Sequence, residues 1–444
     1  MPSSSGDNRD SLRLAWIALV LAMVGAGAML YYHQGLFLPR VRDVSVARGL
    51  GGGYQFGDDF YPVWLTSREA LGGRDPYSAE MTREIQTGLF GRALDRAGDP
   101  KDLRTFAHPA YTLLLMWPLA AMRFEAARVA MGILLLGMMP ASVWLWLKAL
   151  GWYVRWPWML VIVVLSVCSY PALEGLYSEQ LGLAVAFLLA GAIAAVRRGR
   201  MLLAGVLIAL TMIKPQMTLL VTAYVLLWSF FEIRMRVRFV VGLFTTLLSL
   251  VVMALMVWPR WIQEWVGVVG QYHGYAEPSL LGGLVTFLPG ARLAGLVTAL
   301  LTASAIIVGM GIAWRNRDVG AESLRFVLTI SVLLAITTIA TLPGQAVYDH
   351  VILLPGILIM VRYWRELRRM GRVAPILLAL GGAVLFWPWA AAAALVLAHA
   401  LGAGFVSGTV LALPIRTAAS LPFAVIALLG YAVRADARDR SVRA

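Results

Sequence analysis

Apolar residues in this chain come in windows of 16 to 25, separated by short breaks that carry arginine. Wound as helix at about 1.5 Å per residue, such a window crosses a hydrocarbon core ~30 Å thick. No other feature limits the fold as much. Backbone amides inside a bilayer must be satisfied within their own segment, and unbroken apolar runs of this length exclude a transmembrane barrel, whose strands alternate. With 60% apolar and 14% charged residues, composition departs in the same direction from a soluble domain, about half apolar and a quarter charged. The fold class expected is all-α, a polytopic transmembrane helical bundle.

The windows lie near 14–31, 126–147, 156–171, 181–196, 201–213, 216–231, 238–258, 293–313, 324–340, 350–362, 374–397 and 417–433, about twelve spans. Lysine and arginine resist translocation, so their distribution orients the bundle. With both termini cytoplasmic, the inner side holds Lys148, Arg155, Arg197, Arg198, Arg200, Arg234, Arg236, Arg238, Arg315, Arg317 and the arginines from Arg362 to Arg372; the short outer loops keep Lys214, Arg260, Arg292 and Arg416. The chain then divides into a cytoplasmic tail, 1–13, a single transmembrane domain, 14–433, containing a long first extracytoplasmic loop, 32–125, and a second cytoplasmic tail, 434–444. The location expected is the plasma (inner) membrane. The first apolar run is long for a signal peptide and lacks a small-residue cleavage site, so it should stay as an anchor. The net charge of +14 sits at span ends and points to anionic membrane lipids as partners, not nucleic acid.

The first loop is roughly charge-balanced and too poor in apolar residues to form a domain of its own. In it, Phe60, Val63, Trp64 and Leu71 mark one side of an amphipathic helix lying in the interface, ended by Gly72 and Gly73. Asp59 stands just before it with Pro62 in the first turn. A second helical stretch is expected from Ala79 to Ala97. A full span at Ala110–Met122 would invert everything after it, so this run is read as re-entrant or interfacial. Gly51, Gly52 and Gly53 lack the strand, helix and lysine of a nucleotide loop and read as linker. Single Cys168 forms no internal disulfide and reads as packing.

Polar groups near a bilayer are costly and therefore informative. On the expected outer face they include Asp58, Asp59, His108, Glu174, Glu179, Gln180, Lys214, Gln216, Glu264, His273, Glu277, Gln345, Asp349 and His350, and several at span ends can line one cavity. Asp58 and Asp59 suit a general base toward an acceptor hydroxyl, or a helix cap. Lys214, one of three lysines among 38 basic residues, breaks a long apolar stretch before Pro215; it suits a lipid-linked phosphate, or a snorkelling side chain. After Pro343 and Gly344, His350 can meet a phosphate or hydroxyl with Asp349 fixing its tautomer, or the two form a helix boundary. The spacing of Asp58, Asp59, Asp349 and His350 does not require a metal. Phosphate-loop, Cys/His metal-spacing and Gly-x-Ser-x-Gly motifs are absent, which removes support for ATP-driven pumping and serine hydrolysis.

Asp59-Phe60 with Arg68-Glu69-Ala70-Leu71-Gly72-Gly73-Arg74-Asp75-Pro76-Tyr77 resembles glycosyltransferase family 87, the polyprenol-phosphate-mannose-dependent alpha-mannosyltransferases of the GT-C superfamily. Phe106-Ala107-His108-Pro109, Trp117-Pro118-Leu119-Ala120, Ala204-Gly205, Lys214-Pro215-Gln216 and Tyr348-Asp349-His350 with Leu354-Pro355 are similar to its later landmarks. The chain departs from it at Ala110, where the family has proline, and at Glu179-Gln180, where it has Gly-Gln. The resemblance runs from about residue 14 to 365. It implies a GT-C-like bundle and hexose transfer, with mannose the family-level sugar. The donor would be a polyprenyl-phosphate sugar, the acceptor a lipid or glycan, and the reaction an inverting displacement on the extracytoplasmic face. Asp59 maps onto the base, with Asp58 the fallback. Lys214, His350 and Arg68 would neutralise the phosphate; Gln180, Glu179, Gln216, Asp349 and His108 would line the cavity. No nucleotide or obligatory metal cofactor is implied. The rival is a twelve-span secondary transporter. A long first outer loop and polar groups at span ends, not midspan, favour the enzyme.

Overall fold

The first apolar window forms α1 (Ser5–Tyr31), in a computed structural model that describes residues 5–51, 57–275, 278–341, 346–404 and 408–443. Gly52, Gly53, Glu277, Pro343, Gly344 and Gln345 lie outside the described residues, as does the side chain of His273. The loop expected to open at Tyr32 begins later, because the helix runs on through a π turn, Tyr32–Phe37, into α2 (Leu38–Ala47). The reason is tertiary. His33 is fully buried with Nε2 2.8 Å from Glu174 Oε2, and the buried Tyr32 hydroxyl donates to the Leu411 carbonyl at 2.5 Å. These partners hold the widened turn in place.

The loop that follows is built from three short helices. α3 (Phe60–Leu71) ends at Gly72 and Gly73, the latter left-handed at φ +86°. α4 (Ala79–Phe90) starts where Ser78 accepts from the Met81 amide at 3.1 Å and stops seven residues before the expected Ala97, because Gly91 turns left-handed at φ +76°. α5 (Tyr111–Ala120) has ten residues and reaches about 15 Å, half the thickness of the hydrocarbon core. α3 does not lie bare in the interface. It buries Phe60, Val63, Trp64 and Ala70 against α5 and α6 (Phe124–Ala149), while Leu71, assigned to the apolar side, is exposed. The Phe124 ring meets Tyr61 edge-on at 4.9 Å and Trp64 at 5.1 Å. Arg74 ties α3 to α4 through Glu69 at 3.1 Å and Glu84 at 2.6 Å.

The bundle continues with α7 (Trp156–Val167), α8 (Tyr170–Tyr177), α9 (Leu181–Val196), α10 (Met201–Thr211), α11 (Leu219–Phe231), α12 (Ile233–Val257) and α13 (Trp261–Tyr275). Further helices cover Ala291–Arg315, Leu324–Ala340, Leu354–Arg362, Ala374–Ala400 and Leu421–Arg443. Every regular element among the described residues is helical. Among the described residues six helices are long and apolar enough to cross a membrane, or seven when α7 and α8, bent by 60°, count as one span. The other expected windows hold shorter apolar helices interrupted by polar turns, such as those around Lys214 and Asp349. α9 and Leu324–Ala340 are the most enclosed. α10 and α12 cross backbone to backbone: a Cβ at Gly205 would strike the Phe239 carbonyl, and one at Gly242 the Leu202 carbonyl.

The two ends of the bundle differ chemically. At one, the Arg197 guanidinium binds the carbonyls of Ala321, Glu322 and Ser323 at 2.7 to 3.1 Å, Arg362 binds the Leu150 carbonyl, and Arg236 stacks 3.4 Å from the Trp228 ring centre. Carboxylates gather at the other.

Candidate functional site

Asp59 occupies the N-cap position of α3, yet its side chain makes no capping hydrogen bond. The loop before it is fixed from below, where the Gly57 amide donates to the Tyr177 carbonyl at 2.8 Å and the Asp59 amide to the Ser178 carbonyl at 3.2 Å. Only glycine suits residue 57, which has φ +80° and where a Cβ would stand 2.8 Å from Glu179 Oε2. So held, Asp59 turns sideways. Its Oδ1 accepts from Arg104 Nη1 at 2.6 Å and its Oδ2 from Gln180 Nε2 at 2.8 Å. Arg104 also reaches Asp58, Nη2 to Oδ2 3.4 Å. Accessibility separates the two acids, since the Asp59 side chain is 19% exposed and that of Asp58 only 2%.

The chain of contacts continues from Gln180. Its Oε1 accepts from Lys214 Nζ at 3.4 Å; Nζ also donates to Asp349 Oδ1 at 2.6 Å and lies 4.9 Å from the Tyr348 ring centre. Lys214 is presented by the break after α10, which two loop residues fix. His108 Nδ1 lies 3.0 Å from the Ile213 carbonyl, and the Tyr111 hydroxyl donates to the Met212 carbonyl at 2.7 Å. Burial and the Lys214 charge push the His108 ring down to about 4, so it is neutral at pH 7 and its Nδ1–H donates.

Burial raises the carboxyls here. Asp58 is pushed up to about 8 by enclosure and by Asp59, with Arg104 pulling it back. Enclosure raises Asp59 too, while Arg104 and Lys214 oppose that. Its two hydrogen bonds, from Arg104 and Gln180, favour the ionised form at Asp59 over Asp58. Asp349 is raised by burial against the pull of Lys214. Such an arrangement offers, in Asp59, a partly exposed carboxylate able to take a proton and, in Lys214, an ammonium able to meet an anion.

Asp58, Asp59, Gln180, Lys214 and Asp349 are thus brought together, with His108 beneath Lys214. Others go elsewhere. Arg68 is exposed in the last turn of α3, 5.6 Å from the Trp64 ring centre, because eight helical residues separate it from Asp59. Gln216 is exposed on the short 3-10 turn 215–217. Glu179 lies fully buried under Gly57, its carboxyl turned from the cluster and pushed up to about 8 by burial, with Arg128 pulling the other way. Asp349 does not orient His350: on the 3-10 segment Val347–Leu353 the two neighbours diverge, and His350 lines an apolar cavity of about 610 Å³ with Trp152, Trp158, Leu354 and Trp389. Glu174 is buried, held by His33 and by the Tyr170 hydroxyl at 3.2 Å. Among the described residues no three His, Cys, Asp or Glu side chains gather as a metal site would need.

The sequence reading missed Arg104 and Asp102, and named Tyr348 as a landmark without giving it a role. Arg104 sits in a polar loop that resembles any solvated turn. The available signal was chemical, in that an ionised carboxylate beside a membrane needs a cation.

No curated protein and no solved structure matches the chain. A family model, Glycosyltransferase family 87, matches residues 106–343. That stretch holds His108, Glu179, Gln180, Lys214 and Gln216 and leaves out Asp58, Asp59, Asp349 and His350. It covers more than half of the 444 residues, and the chain belongs to glycosyltransferase family 87.

Proposed function

We propose that this membrane glycosyltransferase moves a hexose, mannose by family resemblance, from a polyprenyl-phosphate donor to a hydroxyl of a lipid or glycan acceptor. The transfer is a single inverting displacement on the extracytoplasmic face of the plasma membrane, with Asp59 as general base. One observation carries the reading: Asp59 stands at a helix start, forgoes the helix amides, and turns its partly exposed carboxylate into a cluster that ends at Lys214.

In this scheme Asp59 takes the acceptor hydroxyl's proton as that oxygen attacks the anomeric carbon. The bond from that carbon to the phosphate oxygen breaks, and polyprenyl phosphate leaves with the electron pair. Lys214 has three N–H donors; Asp349 and Gln180 engage two, and the third serves the phosphate as its charge grows. The apolar cavity beyond His350 suits the prenyl chain.

The test is transfer of label from radiolabelled polyprenyl-phosphate-mannose by purified protein reconstituted with a total membrane-lipid extract. Label in a new lipid or glycan supports the reading and identifies the acceptor. Folded protein that transfers nothing from several such donors removes it. Lys214→Ala should raise the donor KM about tenfold, the loss of one hydrogen bond between charged groups; an unchanged KM returns Lys214 to a snorkelling role.

A further inference from the structure

The first loop contributes to the cluster twice. Its opening supplies Asp58 and Asp59, and its far end, after α4, supplies Arg104. That second delivery is built. The Arg104 backbone is left-handed, φ +54°, a conformation uncommon for a side-chain-bearing residue, and its amide donates to Asp102 Oδ1 at 3.0 Å. The preceding Leu103 carbonyl accepts from Nε2 of the buried Gln86 at 2.9 Å, and Gln86 Oε1 accepts from the Leu94 amide at 2.9 Å. α4 and the turn after it thereby anchor a guanidinium that meets both aspartates, at 2.6 and 3.4 Å.

We propose that Arg104 is the positioning residue of the transfer reaction, holding Asp59 ionised and its carboxylate plane fixed toward the acceptor, and that α4 exists to present it. This rests on Asp59 being the base.

The charge balance around Asp59 gives the reason. Burial acts against its ionisation, as do Asp102 and Glu174. The hydroxyls of Tyr348 and Tyr272 face the same field. Arg104 and Lys214 are the cations that oppose them, and Lys214 is engaged by Asp349. Arg104 has the shorter and direct contact. Its planar fork can meet two carboxylates at once, which a lysine ammonium does less well.

The experiment is the pH profile of kcat/KM for wild type, Arg104→Gln, Arg104→Lys and Gln86→Leu. The acid limb of kcat/KM reports the free enzyme's base. Removing a cation within hydrogen-bonding distance should move that limb to higher pH, by about one to three pH units. Arg104→Gln is therefore expected to be most defective at low pH and to recover as pH rises; Arg104→Lys shifts less. Gln86→Leu keeps the guanidinium but loosens it, and should shift the limb in the same direction; it decides the matter if Arg104→Gln does not fold. Loss by a constant factor at every pH, or an unmoved limb in folded Gln86→Leu and Arg104→Lys, overturns the proposal. Asp59→Asn separates the two failures: activity in that variant sinks the base itself, whereas an inactive Asp59→Asn beside an unshifted Arg104→Gln sinks only Arg104.

Discussion

Glu179 carries the clearest local conflict in the chain. It adopts φ +53°, a region that favours glycine, and both carboxyl oxygens are buried without hydrogen-bond partners among the described residues. The folded carboxyl titrates near 8 instead of the ordinary 4.5, so between those values the folded state holds a proton that the unfolded state has released. Stability then falls as pH rises through that window. Glu179→Gln should flatten this slope in thermal unfolding followed from acid to neutral pH; an unchanged slope would mean that another group supplies it. Glu179→Gly should raise stability by about 1 kcal/mol or more, by relieving the backbone and the enclosed acid; a lower melting temperature would show that Arg128 repays both. The departure from the family's Gly-Gln pair was visible in sequence, but the left-handed backbone was not. Likewise Asp59 was legible as base or cap, and the sequence did not show that its carboxylate leaves the helix amides for Arg104 and Gln180.

Helix boundaries followed sequence where glycine sets them, as at Gly72, and strayed where tertiary contacts override a boundary signal. α2 prolongs α1 because Tyr32 and His33 find buried partners, and α13 forms where no span was expected, its Trp265 indole donating to the Ala107 carbonyl at 2.9 Å. Neither partner is encoded near the helix it extends. The Ala204-Gly205 landmark gains a packing reason at the α10–α12 crossing. Gly205→Leu should part those helices and abolish folded protein in detergent, measured by size-exclusion chromatography; normal yield would contradict the close crossing. On α3, Phe60→Ala should cost about 3 to 5 kcal/mol, since Phe60 is fully buried.

At the scale of the molecule, membrane periodicity was the strongest message in the sequence: the regular elements among the described residues are helical, with six or seven helices of spanning length and shorter apolar ones in other windows; the assembly of the site was the weakest. Asp59, Gln180, Lys214 and Asp349 come from four separated segments, and no local pattern states that they meet. The expected orientation places reporters after Arg198 and after Gly274 on opposite sides of the membrane. Reporters on the same side would overturn it and the extracytoplasmic placement of the site. The most direct test of the central claim is the transfer rate of Asp59→Asn against wild type, in protein matched for insertion and folding. Loss of a positioned general base predicts a fall of about 10²- to 10⁴-fold, with abundance unchanged. Turnover near the wild-type rate would contradict the account, because Asp59 is the carboxylate that Arg104 and Gln180 hold in place.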